Sequence, residues 1–99
     1  MTTAMAMADV LGYAAATLTT VAFVPQAAKT WRTRRTDDLS LGMFSLFVAG
    51  IALWLAYGLA IGQWPIIVAN ALTLGLAGSI LYVKMQAVAA TRRSRRAVT

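Results

Sequence analysis

Two side chains in the uncharged parts of this chain carry groups better suited to binding than to packing in lipid: the indole of Trp54 and the amide of Asn70. Asn70 is the sole amide deep in its apolar run, and an unpaired amide in apolar surroundings costs roughly 2–7 kcal/mol, so it needs a partner. That partner is either a group on a neighbouring helix or a polar solute in a wet cavity. Trp54 stands mid-run, away from the interface where tryptophan is usual. The runs holding the two residues are joined by the break Gly62-Gln63-Trp64-Pro65 and must be antiparallel. Trp54 lies about eight residues before that break and Asn70 about seven after it, which at about 1.5 Å per residue puts both about 11 Å from the turn. A flat aromatic face and an amide at one depth form the inventory of a sugar site, stacking on the ring's C–H face and bonding its hydroxyls.

Other chemistry is poorly provided for. The chain has no cysteine and no histidine, which removes disulfides, zinc clusters, and histidine catalysis or proton relay. Ser45, Thr17, Thr19, Thr20, Thr73 and Ser79 have no base near them, and hydroxyls in membrane helices normally bond their own backbone. No enzyme, metal or cofactor is expected. From residue 39 to Lys84 there is no Asp, Glu, Lys, Arg or His, and the interior of the first apolar run is equally bare. Ion-coupled pumps generally need an intramembrane ionisable group, so this pattern predicts facilitated diffusion of a neutral solute.

The elements that position these residues follow from composition. A soluble domain of 99 residues would not be 60% apolar, only 12% charged and of mean hydropathy +0.69. All nine cations fall within 29–35 and 84–96, beside apolar runs, which argues for a membrane surface and against nucleic acid. Residues 1–8 lack a basic start and a cleavage pattern, so no signal peptide is expected there. The spacing predicts three membrane-spanning helices, at about 9–28, 39–62 and 65–88, in one domain over 1–90 with a basic cytoplasmic tail at 91–99.

Between the first two spans, 29–38 reads as a solvated loop with Trp31 at headgroup level, and Asp37, Asp38 or Ser40 as candidate caps for the second helix. Pro65 fits the first turn of the third helix and Trp64 the interfacial belt. Pro25 cannot donate a backbone hydrogen bond and clashes with the preceding turn, so Pro25-Gln26 marks an expected kink and candidate hinge near the cytoplasmic end of span one. An odd number of spans puts every Lys and Arg on one side and only Asp9 on the other, which gives N-terminus outside and C-terminus cytoplasmic. The many small residues, Gly12, Ala15, Ala16, Ala69 and Gly75 among them, read as close helix packing in lipid.

Gly12-Tyr13, the stretch Thr19-Thr20-Val21-Ala22-Phe23-Val24-Pro25-Gln26, the loop end Thr36-Asp37-Asp38-Leu39-Ser40, Trp54-Leu55-Ala56-Tyr57-Gly58 and Pro65-Ile66-Ile67-Val68-Ala69-Asn70 together resemble the SemiSWEETs. These are the bacterial half-size SWEET sugar transporters of the PQ-loop (MtN3/saliva) superfamily, and the likeness covers about 10–85. The resemblance implies an all-α membrane protein of the bacterial inner membrane, a three-helix bundle pairing as a parallel homodimer around one path. It implies substrate binding by Trp54 and Asn70, a hinge at Pro25 and Gln26, a cytoplasmic gate of Met43 and Phe47, and Tyr57 in the extracellular gate. The family tends to place a basic and an acidic residue after that tyrosine. This chain has Ile61 and Gln63, so outer closure falls to Tyr57, apolar packing and Gln63.

Helix dimensions support the dimer separately, since three helices of about 10 Å diameter cannot surround a sugar-sized cavity. A second copy on a two-fold axis is the commonest solution. Two functions therefore compete: a homodimeric sugar uniporter, or a non-transporting adaptor that packs on a larger membrane partner. In both, the basic loop and tail face anionic lipid headgroups.

Overall fold

The computed structural model describes residues 3–98; Met1, Thr2 and Thr99, at the ends of the expected domain and tail, lie outside the described residues. The chain forms α1 (Thr3–Thr33), α2 (Leu41–Ile61) and α3 (Trp64–Val98). Among the described residues, three helices are long and apolar enough to cross a membrane.

Two of them run further than the sequence predicts. The segment 29–38 is not all loop, because α1 continues to Thr33. Basic side chains suit a helix C-terminus, where Arg32 faces the negative end of the helix dipole, and the Thr33 hydroxyl donates to the Lys29 carbonyl at 2.8 Å. The stop is Arg34, in the left-handed region at φ 57°, whose N–H donates to the Thr30 carbonyl at 2.8 Å. That single bond is an αL cap made without glycine, a conformation that costs a non-glycine residue about 1–2 kcal/mol. Contacts to α3, described below, hold Arg34 there. Likewise the basic tail is helical over 91–98, where it continues α3 with four arginines and the Thr91 hydroxyl donates to the Ala87 carbonyl. Pro25 lies inside α1, which continues for eight residues beyond it.

The caps are local. Ser40, extended at φ −81° and ψ 122°, accepts from the Met43 N–H and is the cap among the three candidates. Gly62 at φ 67° ends α2, with Gln63 N–H donating to the Gly58 carbonyl at 3.0 Å and Gly62 N–H to Leu59 at 3.4 Å. This paired closure needs the left-handed residue that glycine supplies. Pro65 then falls in the first turn of α3.

The helices form a layer in the spatial order α1–α3–α2. Helix α3 packs on both others, whereas the backbones of α1 and α2 do not approach one another among the described residues. The resulting slab measures 66 × 25 × 15 Å. Its small core is Ala16 and Ala27 of α1, Ile51 of α2, and Ala77, Ile80 and Val83 of α3. Most other apolar side chains face outward, as lipid or a second protein surface requires.

Two glycines set the spacing at the start of α3. A Cβ on Gly12 would lie 2.7 Å from Pro65 Cβ, and one on Gly58 would lie 2.7 Å from Ile66 Cγ2. Real Cβ atoms do not come that close, so both neighbours approach α3 only because these residues are glycine. Gly58→Val is expected to lower thermal stability by about 1–3 kcal/mol through overpacking. Gly42→Ala, where a Cβ meets nothing within 4 Å, should be tolerated. Equal unfolding temperatures for the two variants in detergent would refute the close approach.

Candidate functional site

Trp54 and Asn70 line one groove of about 380 Å³, together with Gly12, Ala15 and Thr19 of α1 and Ala69 of α3. All three helices contribute to it. The shared depth expected from the tight α2–α3 turn fits this common lining, and Gly12, Ala15, Ala16 and Ala69, read as packing elements, also line the groove. No ionisable side chain lines it.

Asn70 is half-buried, and its Nδ2 donates to the Ile66 carbonyl one turn back at 2.8 Å. That bond lies within its own helix, so Asn70 is not an interhelical tie. The Oδ1 acceptor has no partner among the described residues and remains available to a solute. Trp54 is 57% exposed and meets Tyr57 edge-to-face, with ring centroids 5.6 Å apart at 85°. With more than half of its surface exposed, the indole is accessible for stacking. Thr17 donates to Tyr13, Thr19 to Ala15, Thr73 to Ala69 and Ser79 to Leu76, all backbone carbonyls, as membrane hydroxyls normally do, whereas the buried Thr20 Oγ1 has no hydrogen-bond partner among the described residues.

Met43, Phe47, Trp54 and Tyr57 recur along α2 at spacings of four, seven and three residues, with Gly50 between Phe47 and Trp54. That is one face of a helix. All four side chains are exposed, Met43 to 76%. A second concavity of about 330 Å³, lined by Gly50, Leu53, Trp54 and Tyr57, lies along the same stripe. Trp54 therefore borders both the three-helix groove and the open face of α2.

Towards the basic end, Phe47 stacks on Phe23 of α1, with centroids 6.3 Å apart at 18°, and meets Phe44 edge-on at 5.7 Å. The Phe23–Phe47 pair bridges α1 and α2 where their backbones stay apart. Sequence reasoning assigned Phe23 no role; its place two residues before Pro25 was the available signal. Beyond it, Gln26 Nε2 donates to the hydroxyl of the buried Thr30 at 3.4 Å, and both line a polar cavity of about 460 Å³ with Lys29, Arg35 and Asp38.

The end of α1 and its loop are fastened to α3. Lys84 Nζ donates to the Thr36 carbonyl at 2.8 Å, and Thr36 is buried. Arg34 Nη1 donates to Gln86 Oε1 at 3.0 Å, while Gln86 Nε2 donates to the Tyr82 hydroxyl at 3.0 Å. Trp31 stacks on Tyr82 at 6.3 Å and receives the Arg34 guanidinium 4.7 Å from its ring centroid. Trp31, expected at the headgroups, thus also pins α1 to α3.

Three membrane-length helices, with Pro25-Gln26 inside the first, are those of a PQ-loop membrane protein, and the family model described as PQ loop repeat matches residues 7–67. The sugar transporter SemiSWEET of Bradyrhizobium diazoefficiens is 54% identical over 76 residues, 77% of this chain and 88% of that protein. The sugar transporter SemiSWEET of Leptospira biflexa is 43% identical over 79 residues, 80% of this chain and 93% of the relative. A crystal structure of SemiSWEET in the inward-open conformation aligns with a TM-score of 0.78 at 35% identity, over 93% of this chain and 95% of the other. A bacterial homologue of SWEET transporters aligns with a TM-score of 0.72 at 38% identity, over 81% and 96%. The chain belongs to the SemiSWEET family.

Proposed function

We propose that two copies of this chain form a parallel homodimer that carries a neutral mono- or disaccharide down its gradient by alternating access. The observation that carries this reading is the uncharged groove lined by both the exposed Trp54 and Asn70, whose Oδ1 has no partner among the described residues. The relatives' names as sugar transporters support the substrate class. Because the layer is 15 Å thin and the groove is open, one copy offers half a site, and a two-fold partner completes it.

In the dimer, Trp54 stacks on the sugar ring and Asn70 bonds its hydroxyls. Tyr57 narrows the path on the outer side and Met43 with Phe47 on the cytoplasmic side, all on the same α2 stripe. Pro25 and Gln26 form the hinge, since the missing proline N–H leaves the Val21 carbonyl without its intrahelical donor. The protein has no part in covalent chemistry. It sits in the bacterial inner membrane with the N-terminus outside and the C-terminus cytoplasmic, its basic loop and α3 end against anionic headgroups.

Two outcomes test this. In proteoliposomes, labelled-sugar flux should follow the sugar gradient alone, because no ionisable group lines the groove. Accumulation above equilibrium driven by a proton or sodium gradient would overturn uniport. For orientation, Thr3→Cys should react with an impermeant thiol reagent from outside and Ser94→Cys from the cytoplasm. Labelling of both from one side would contradict the orientation.

A further inference from the structure

Helix α3 is 35 residues long, about 52 Å, against a hydrocarbon core of about 30 Å. It starts at the interfacial Trp64, meets its first charge at Lys84, and therefore leaves the core near that residue. The emerging part carries a groove of about 360 Å³ between the start of α2 and α3. Its α3 wall is Met85, Val88, Ala89, Arg92, Arg93 and Arg96, which is one helical face at i, i+3, i+4, i+7, i+8 and i+11. Leu41 of α2 supplies the opposite wall. Along this face the residues change in order: apolar side chains lie next to the membrane, and guanidinium groups lie further out.

We propose that this groove is a binding site for an anionic phospholipid of the surrounding bilayer, with its phosphate held by Arg92 and Arg93 and its glycerol backbone and first acyl carbons lying along Leu41, Met85, Val88 and Ala89. The order of apolar then cationic groups matches the amphipathic order of a phospholipid standing in its leaflet. Helical side chains lean towards the N-terminus of their helix, so arginines on an outgoing helix lean back towards the headgroups. Guanidinium groups bind phosphate in a planar, bidentate fashion that a lysine tail could not supply. No acidic side chain lines the groove. Asp37 lies in the adjoining pocket, which Arg92 and Arg95 also line with Lys84. Clustered cations just beyond a membrane helix are a recognised form of anionic-lipid site. This site deepens the general attraction of the basic end to the membrane and is independent of sugar transport.

The test is native mass spectrometry of the protein released from vesicles of phosphatidylcholine mixed with phosphatidylglycerol, comparing retention of the two lipids. Wild type should retain phosphatidylglycerol preferentially. Arg93→Gln should lower its apparent affinity about fivefold, the equivalent of about 1 kcal/mol per basic side chain at an anionic surface. Arg95→Gln, with the same change in charge but outside the groove, should have a clearly smaller effect. Ala89→Trp, which fills the groove at an exposed position without altering charge, should also lower retention. Equal losses from Arg93→Gln and Arg95→Gln would show diffuse attraction and overturn the site. So would wild-type retention by Ala89→Trp, or the absence of any preference in wild type.

Discussion

Asn70→Ala is expected to reduce sugar counterflow in proteoliposomes by about 10- to 100-fold while leaving the fold nearly as stable. The asymmetry comes from the bonds that Asn70 makes. Its only bond among the described residues is to its own helix, at the Ile66 carbonyl, and even hydrogen bonds between membrane helices are worth only about 0.6 kcal/mol on average. A hydrogen bond to substrate in a desolvated site is worth about 0.5–1.5 kcal/mol, and in the proposed dimer two copies of Asn70 face one sugar, so the losses would compound. Trp54→Phe keeps an apolar ring but shrinks the stacking face, and should weaken sugar binding more than folding. Trp54→Ala should remove binding altogether. Retained flux together with a loosened fold in Asn70→Ala would assign the residue to scaffold, and unchanged flux in both variants would remove the groove from transport.

Pro25→Ala is expected to slow exchange by about 30-fold with sugar binding preserved. The substitution restores the N–H donor that the Val21 carbonyl lacks and removes the ring clash, so it favours a straight α1. A bias of about 2 kcal/mol towards one conformation suffices for a 30-fold effect. The half of α1 beyond Pro25 does not move freely, because Trp31–Tyr82, Arg34–Gln86 and Lys84–Thr36 fasten it to α3. Bending at Pro25 must therefore either carry the end of α3 along or break those ties. Lys84→Met, which removes one tie, should alter exchange in Pro25→Ala and wild type by different factors if hinge and strap are coupled. Wild-type exchange by Pro25→Ala would make the proline a packing feature only.

Much of this was legible because membrane helices obey strong one-dimensional rules. The three apolar runs, the Gly62–Pro65 break and the common depth of Trp54 and Asn70 all follow from hydropathy and a fixed rise per residue. The extensions of α1 to Thr33 and of α3 to Val98 were not legible, because cationic residues end a membrane span without ending a helix. The spatial order α1–α3–α2 has no signature in any single helix. The Phe23–Phe47 pair depends on that order and was hidden with it. Gly12 and Gly58 stood among many small residues, and only the distances to Pro65 and Ile66 show which of them hold helices together. The Arg34 cap was equally silent, since a non-glycine residue with positive φ is set by tertiary contacts at Trp31 and Gln86.

That both copies share one site is tested most directly by joining two chains through a linker and placing Asn70→Ala in one half only. Counterflow by this linked dimer should fall well below half that of the unmutated linked dimer, because the single sugar between the copies loses hydrogen bonds from one side. About half of the unmutated activity, with the doubly mutated dimer inactive, would show that each chain carries its own path and would contradict the shared central site.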